Sequence, residues 1–265
     1  MWRMWDDLAD LVMARECACC TAVGARLCPA CRSDLDGQRY AVPRLVRPVP
    51  APTGLPQVVA SGRYAGALRA AIVAFKDQGR ADLATLLVPL LAGALQTILG
   101  PEGGQWSAES GRPGLRSAGF HRVLVVPMPS SRAATRTRGD RPVLRLAKRA
   151  TRDVGSARAS PGLPSVHVVP ALTTRRRVAD QARLGAEDRA RNLAGAYAVT
   201  HRHTALVRAH PVVLVDDVVT TGATLAEAAR AVRAVGGEAI AAAVIAATER
   251  RYAGRNAAGR PVWPG

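Results

Sequence analysis

Lysine, aromatic residues and long apolar runs are all scarce in this sequence. Only Lys76 and Lys148 are lysines, so almost all of the 37 basic residues are arginines. Four Trp, four Tyr and two Phe among 265 residues are too few for an aromatic platform that stacks single-stranded nucleic acid. The apolar fraction of 48%, together with 24 glycines and 18 prolines, excludes a mainly disordered or fibrous chain.

An export signal and a membrane-spanning run are also missing. Asp6, Asp7 and Asp10 interrupt the apolar residues near the start, which spoils the core of a signal peptide. No run of about 18 uncharged apolar residues follows, so we expect no membrane span and a cytoplasmic location. In a reducing compartment, five cysteines are more typical of metal ligands or buried thiols than of disulfides.

The chain is strongly basic, with a net charge of +17 and an isoelectric point near 11.3. Such a charge attracts phosphates through its long-range field. Two interpretations remain open at this point. The arginines form a nucleic-acid surface, or they form a solvated surface in a chain of biased composition.

The sequence divides into a small amino-terminal module, a linker and a larger domain. Residues 1–40 hold a short amphipathic helix and all five cysteines. Residues 41–56 contain five prolines and are predicted to form an extended linker. We assign 57–250 to the main domain, with a flexible insertion rich in Gly, Ser and Pro at 100–119, and 251–265 to a basic tail.

Apolar strands alternate with helices in the main domain. Uninterrupted apolar strands are typical of a parallel sheet that is buried on both faces. We therefore predict an α/β fold with a Rossmann-like parallel sheet covered by helices on both sides. The predicted strands are 57–63, 122–126, 166–170, 195–200, 212–215 and 239–247, and the predicted helices are 65–77, 81–99, 140–152, 186–193 and 222–235.

The most specific chemistry lies between Val212 and Thr224. A strand of four apolar residues ends at Asp216 and Asp217, and ligands of open α/β sheets bind at that edge. The turn from Thr220 to Thr224 then opens a helix, whose free N–H groups and hydroxyls would converge on an anion. Carboxylates repel a lone phosphate but accept hydrogen bonds from the hydroxyls of a sugar. The pattern therefore predicts a sugar-phosphate site.

Two other interpretations of this stretch stay open. In the first, Thr220 or Thr221 only caps the helix and the aspartates are solvated. In the second, the strand and its paired aspartates belong to an acidic pocket like that of a receiver domain. Such a pocket does not require the threonine–glycine–threonine turn that follows here.

Along its whole length, this stretch resembles the signature of the type I phosphoribosyltransferases. That family binds 5-phosphoribosyl 1-pyrophosphate (PRPP) and Mg²⁺ on a Rossmann-like sheet. The resemblance implies that Asp216 and Asp217 contact the ribose hydroxyls and act as the catalytic carboxylates. The residues that would then bind the 5′-phosphate are Thr220, Thr221, Gly222, Ala223 and Thr224.

The same resemblance implies a pyrophosphate loop after the strand at 122–126. Ser130, Ser131 and Arg132 would fill this role through backbone amides and a basic side chain. The alternative is an ordinary strand-to-helix connection stiffened by prolines.

Two further basic features have open roles. Arg175, Arg176 and Arg177 belong either to a lid that closes over an anionic substrate or to a solvated loop. Lys76 ends the predicted helix at 65–77. It faces the pocket for the acceptor base, or it complements the dipole at the carboxyl end of its helix.

Four cysteines form two Cys-x₂-Cys pairs, one of Cys17 and Cys20 and one of Cys28 and Cys31. Each pair can hold a metal ion within one turn, and four thiolates complete a tetrahedral zinc site with no open position. We therefore predict a structural Zn²⁺. The alternative is a set of buried or redox-active thiols. Cys19 is the odd residue, which exchanges with a neighbouring ligand or stays free.

A zinc module, a proline-rich linker and a phosphoribosyltransferase-like domain together resemble the ComF family, which is associated with bacterial competence and DNA uptake. The resemblance covers nearly the whole chain and includes the helix end at Phe75 and Lys76. The chain departs from the family after Arg138 and Gly139, where Asp-Arg-Pro stands in place of an aromatic–Asn–Gln sequence. The insertion at 100–119 also has no family counterpart.

Two functions are compatible with these features. The first is an enzyme that transfers a 5-phosphoribosyl group from PRPP to an acceptor and releases pyrophosphate with the help of Mg²⁺. The second is a non-catalytic accessory protein of DNA uptake or processing, which binds PRPP or a nucleotide. Its zinc module and basic surface would then engage DNA or a helicase partner.

Overall fold

The computed structural model describes residues 16–100, 120–129, 141–157, 164–175 and 193–248, with the backbone of Gly254–Arg255 and Pro261–Val262. These last two segments pair as a short antiparallel ladder within the predicted tail. The predicted amino-terminal helix, residues 101–119 of the predicted insertion and residues 186–192 lie outside the described residues.

A six-stranded sheet forms the centre of the fold. Its strands are β1 (Arg39–Val46), β2 (Gln57–Gly62), β3 (Arg122–Pro127), β4 (Ser165–Val168), β7 (Val212–Val219) and β8 (Ala239–Ala247), in the spatial order β1-β2-β8-β7-β3-β4. All neighbouring strands run parallel except β1 and β2, which are antiparallel. The predicted α/β fold with a parallel sheet is thus confirmed, except that the edge strand β1 is antiparallel.

Helices cover the sheet on both faces, as its apolar strands require. The helices are α1 (Pro29–Gln38), α2 (Gly66–Asp77), α3 (Ala84–Leu99), α4 (Pro142–Ala157), α5 (Thr204–Ala209) and α6 (Ala223–Arg233). On one face α2, α3 and α4 pack into a core together with α1. On the other face α6 packs with a small hairpin of β5 (Leu172–Thr174) and β6 (Tyr197–Val199).

The segment Ala81–Leu99, a 3₁₀ turn followed by α3, is by length and composition apolar enough to cross a membrane. In its most apolar stretch, however, 61% of the residues are buried inside the protein. Leu87, Leu91 and Leu95 repeat at helical spacing and are fully buried in the core. A core helix passes the same test of composition, so this segment is no indication of a membrane span.

The predicted linker differs from expectation in its first part. Residues 39–46 form β1, whose Leu45 and Val46 lie opposite Val59 and Val58 of β2. A strand at the edge of a sheet tolerates Pro43, because its missing N–H costs no ladder bond on the solvent side. Residues 41–46 are therefore part of the sheet, and the division of the chain into domains remains a prediction.

The order of the strands creates a crevice. From β3 the chain crosses to β4 on one side, whereas from β7 it crosses to β8 on the other side. The order therefore reverses between β3 and β7. At such a switch point the loops after the two strands diverge, and ligands of open α/β sheets bind between them.

Candidate functional site

The two carboxylates of the predicted site lie within β7 and not just beyond it. The strand was predicted to end at Val215, but it continues to Val219. Its extension has a simple cause, since Val218 and Val219 pair with Ala246 and Ala247 of the long strand β8. Because successive side chains of a strand point to opposite faces, Asp216 and Asp217 face different sides of the sheet.

Asp217 forms an ion pair with the last turn of α2. Lys76 Nζ lies 2.7 Å from Asp217 Oδ2. The other oxygen of Asp217 accepts the Val218 N–H at 2.9 Å, and the residue is only 6% exposed. Neither role considered for Lys76 from the sequence described this pair. The one available signal was that Lys76 is one of only two lysines in a chain rich in arginine.

The electrostatics of this group depend on Lys76. Burial, and then the charge of Asp217, raise the pKa of Asp216 to about 8, although Lys76 opposes the rise. Burial alone would lower the pKa of Lys76, but the charges of Asp217 and Asp216 outweigh burial and raise it. Tyr197 lies near Asp216, and burial followed by that charge raises the pKa of Tyr197 to about 12. Tyr197 is therefore a neutral neighbour.

Asp216 has an oxygen that a ligand can use. Its Oδ1 accepts the Asp217 N–H at 2.9 Å. Within the part of the chain that the structure describes, Oδ2 of Asp216 accepts no N–H donor, although the Asp217 carboxyl group lies within hydrogen-bonding reach of the Asp216 side chain, and the residue is half-buried. Asp216 therefore offers one carboxylate oxygen for a hydroxyl donor.

The loop after β7 requires a glycine at position 222. Gly222 has φ +76°, a left-handed conformation that favours glycine. A β-carbon there would lie 2.8 Å from Leu55 Cδ2 and 3.3 Å from Pro48 Cγ. The last part of the predicted linker thus packs against this loop, and Gly222 gives both segments the room to do so.

The same loop presents backbone donors at the start of α6. Among the described residues, no protein acceptor takes the N–H groups of Thr220, Thr221 or Gly222. The Ala223 N–H has only a long contact of 3.4 Å to Thr221 Oγ1. Together with the positive end of the dipole of α6, these groups suit an anion such as a phosphate.

An ion pair between the buried Glu227 and the exposed Arg230 anchors α6 behind this loop. Glu227 is 8% exposed, and both of its oxygens accept hydrogen bonds from Arg230 at 2.7 and 2.8 Å. Arg230 also donates to the carbonyl oxygen of Tyr197 at 3.3 Å. This pair joins β6 to α6 and has a structural role.

The other predicted site residues are only partly described. The chain leaves β3 beside the carboxylates, since the Met128 N–H donates to the Val215 oxygen at 2.8 Å. Arg175 is exposed, and its N–H closes the β5–β6 hairpin on Ala196 at 2.8 Å. The predicted residues outside the described part of the chain are Ser130, Ser131, Arg132, Arg176 and Arg177.

The two cysteine pairs come together in one cluster. The sulfur atoms of Cys17, Cys20, Cys28 and Cys31 all lie within 4.8 Å of one another. A tetrahedral site with Zn–S bonds of about 2.3 Å places its sulfur atoms about 3.8 Å apart. The Sγ atoms of Cys20 and Cys28 are 3.6 Å apart, which is close to that value and too long for a disulfide. The cluster is compatible with a structural zinc ion.

Local hydrogen bonds favour a thiolate in this cluster. Burial alone would raise the pKa of Cys17, but backbone donors, led by the Cys28 N–H, outweigh it and lower this pKa to about 6. Further thiolates this close together repel one another unless a cation is present. Four sulfur ligands and a divalent metal therefore suit one another.

Cys19 is not one of the four clustered cysteines, although it neighbours Cys17 and Cys31. Its Sγ contacts the Ala67 carbonyl oxygen at 3.5 Å, and burial raises its pKa to about 11. Cys19 is thus a neutral thiol packed against the first turn of α2.

Comparison with known proteins agrees with this geometry. The family model of the phosphoribosyl transferase domain matches residues 145–258. This part of the chain is therefore similar to a phosphoribosyl transferase domain. The matched range includes β7, the loop at Gly222 and α6, whereas the cysteine cluster and α2 precede it. A search of curated proteins finds no match.

The raised pKa of Asp216 predicts how stability depends on pH. Between its ordinary value near 3.8 and the folded value of about 8, the folded protein keeps a proton that the unfolded chain loses. The free energy of unfolding therefore falls as pH rises through this interval and levels off above it. Asp216→Asn removes the titrating group, so the free energy of unfolding of this variant lacks the decrease with pH. We therefore expect the Tm of Asp216→Asn minus the Tm of the wild type to be larger at about pH 8.5 than at about pH 5.

Thermal unfolding followed by circular dichroism at the two pH values measures this effect. Asp153→Asn is the matched control, since Asp153 is an exposed acid on α4. Its Tm difference from the wild type should be the same at both pH values. An Asp216→Asn difference that does not change with pH would contradict the prediction.

Proposed function

We propose that this protein is a phosphoribosyltransferase that binds PRPP and Mg²⁺. It transfers the 5-phosphoribosyl group to an acceptor and releases pyrophosphate, which makes it a glycosyltransferase of nucleotide metabolism. One observation carries the proposal. Inside the matched domain, the carboxylates of β7 and the free N–H groups at Gly222 lie on the same edge of the sheet.

In this proposal the loop from Thr220 to Thr224 binds the 5′-phosphate. Its free amides donate to the phosphate oxygens, and the hydroxyl groups of the threonines add further donors. Gly222 keeps side-chain atoms away from the phosphate. Binding at this end places the ribose over the carboxyl end of β7.

The carboxylates act on the ribose. Asp216 Oδ2 accepts a hydrogen bond from a ribose hydroxyl, and Asp217 adds negative charge held in place by Lys76. As the bond from C1 to the pyrophosphate oxygen breaks, its electron pair leaves with the pyrophosphate and the ring becomes positively charged. The negative charge of Asp217 stabilises this positive charge, and Asp216 adds to the effect once it is ionised, at a pH above about 8. A nucleophilic atom of the acceptor then bonds to C1 and loses its proton.

The leaving pyrophosphate needs positive charge at the opposite end of the site. We place Ser130, Ser131 and Arg132 there, because the chain leaves β3 next to Val215. In this proposal Arg175, Arg176 and Arg177 would form a lid over the anionic substrate. In the described residues the cysteines form the only group of three or more potential metal ligands, so Mg²⁺ would arrive bound to PRPP and would neutralise its pyrophosphate.

The cysteine cluster has a structural role in this proposal. Four thiolates from Cys17, Cys20, Cys28 and Cys31 would fill every position around Zn²⁺, which leaves no position for a substrate. Thiolate ligands persist in a reducing compartment, which supports a cytoplasmic location.

Calorimetric titration of the full chain with PRPP tests the proposal. We expect saturable binding that requires Mg²⁺ and that weakens when ribose 5-phosphate replaces PRPP. Release of pyrophosphate is then measured with a panel of purine and pyrimidine bases. A lack of PRPP binding in the presence of Mg²⁺ would rule out the proposed function.

A second candidate is a PRPP-binding accessory protein of DNA uptake, as the resemblance to the ComF family implies. It is favoured by an exposed basic surface on α4, formed by Lys148, Arg149 and Arg152. This function predicts saturable PRPP binding without pyrophosphate release, and DNA affinity that falls steeply with salt. Replacing Arg149 with glutamine should then reduce the salt dependence, whereas the same change at the exposed Arg202 should leave it unaltered.

A further inference from the structure

The helix that carries Lys76 begins against the cysteine module, which we define as residues 16–38. Asp34 lies on α1, one turn after Cys31, and its Oδ2 accepts the Ala67 N–H at 2.6 Å. This N–H belongs to the first turn of α2. The residue preceding α2, Ala65, provides no side-chain cap, so Asp34 supplies the cap from outside the helix.

The start of α2 is shaped around this carboxylate. Gly66 has φ +46°, and a β-carbon at that position would overlap Asp34 Oδ2. Next to it, Leu35 is 2% exposed and shares the apolar core with Leu68 and Ile72 of α2. The position of α2 along its axis is therefore set by contacts with the cysteine module.

A second contact holds the region just after α2. Arg80 donates to the Glu16 carbonyl oxygen at 3.0 Å, and its own N–H donates to the Ala74 oxygen of α2 at 3.1 Å. The Arg80 side chain is fixed by Asp82 through contacts of 3.0 and 2.9 Å. The cysteine module thus contacts the chain at both ends of the helix.

Lys76 lies on the same rigid element, about 15 Å along the axis from Gly66. From there it reaches Asp217, which belongs to β7. A shift of α2 along its axis would change the distance from Lys76 Nζ to Asp217 Oδ2, whereas the strand would stay in place.

We propose that Asp34 is a positioning residue for the carboxylate site. By capping α2, Asp34 holds Lys76 against Asp217. The cysteine module thereby helps to position a residue of the carboxylate site. An effect of Asp34 on PRPP binding rests on the proposed function. Its effect on the pair of Lys76 and Asp217 does not, because it can be measured in the protein without PRPP.

The effect that can be measured is on the ionisation of Asp216. Among the described residues, the titratable groups that face Asp216 are Asp217, Lys76 and Tyr197. Lys76 is the one cation in this set, and it opposes the rise of the Asp216 pKa. If Lys76 moves away, the carboxylates lose part of that attraction, and the pKa of Asp216 rises further.

The experiment is a titration of the full chain, without PRPP, followed by ¹³C NMR of the aspartate carboxyl groups. The Asp216 signal is identified by its loss in Asp216→Asn. We expect Asp34→Ala to raise the midpoint of this signal by about half a pH unit or more. Asp34→Asn should keep the wild-type midpoint, because its amide oxygen can accept the same N–H.

Two further variants make the test specific. Asp36→Ala is the matched control, because Asp36 lies on the same helix and is exposed like Asp34, but it pairs with Arg39 at 3.3 Å. It should leave the midpoint unchanged. In a Lys76→Met background, Asp34→Ala should cause no additional shift. Gly66→Ala displaces the Asp34 carboxylate and should therefore raise the Asp216 midpoint in the same way. This variant replaces Asp34→Ala in the test if Asp34→Ala does not fold.

A midpoint that stays unchanged in Asp34→Ala while the Tm falls would overturn the inference, because a merely structural cap gives that result. A shift that persists without Lys76 would overturn it as well. If the shift occurs as expected and PRPP still does not bind, the positioning role stands and only the proposed function fails.

Discussion

Replacing Gly222 with alanine should lower the affinity for PRPP by at least about 100-fold. A left-handed φ costs alanine about 1–2 kcal/mol relative to glycine. The new β-carbon would also lie 2.8 Å from Leu55 Cδ2, so either the Leu55 side chain or the loop must move. Hydrogen bonds to a charged group are worth about 1.5–3 kcal/mol each, and a displaced loop loses more than one of them. Calorimetry with PRPP and Mg²⁺ measures the loss.

The matched control lies at the other end of the same helix. Gly236 has φ +80°, and a β-carbon there would meet only the Arg208 side chain, at 3.3 Å or more. Gly236→Ala therefore imposes a similar backbone cost far from the loop. It should lower the Tm and leave PRPP affinity within about twofold. Equal losses of affinity in the two variants would show that the loop at Gly222 does not bind the phosphate.

Replacing Cys28 with serine should remove zinc from the protein. A serine hydroxyl is a poor substitute for a thiolate ligand, and structural zinc sites are worth about 10–16 kcal/mol in apparent binding free energy. Cys28 also immediately precedes α1, which holds Leu35 in the core. We expect one zinc ion per chain in the wild type, less than a tenth of that in Cys28→Ser, and a Tm lowered by several degrees. Elemental analysis and thermal unfolding measure the two effects.

Cys19→Ser is the control for this change. The Cys19 sulfur contacts the Ala67 oxygen and lies outside the cluster of four, so the variant should retain one zinc ion per chain. If Cys19→Ser loses zinc while Cys28→Ser retains it, then Cys19 is a zinc ligand and Cys28 is not, which would contradict the assignment made from the geometry.

Helix α2 links the cysteine module to the carboxylate site. The cysteine module caps this helix at Ala67, and the helix ends at Lys76 beside Asp217. The cysteine module can therefore contribute to the carboxylate site through α2. This also gives Cys28→Ser a second expected effect, since loss of the module's structure should raise the pKa of Asp216, as we expect for Asp34→Ala.

The fold was largely predictable from the sequence because its signals are local. Uninterrupted apolar runs such as Val212–Val215 indicate buried parallel strands, and the helices between them follow from their spacing. Short elements were missed, namely β5 and α5, because three to six residues carry too little periodicity. The end of β7 was placed too early, because the pairing of Val218 and Val219 with β8 depends on a distant strand.

The sequence by itself determined which residues could carry the chemistry: the acidic pair of β7, the glycine turn after it and the two Cys-x₂-Cys pairs. Each of these is a short pattern whose spacing dictates its local geometry. Only the tertiary structure decided that Lys76 pairs with Asp217, that Asp34 caps α2 and that residues 41–46 form an edge strand. These contacts join segments far apart in the chain. They depend on how helices and strands pack, which no local pattern encodes.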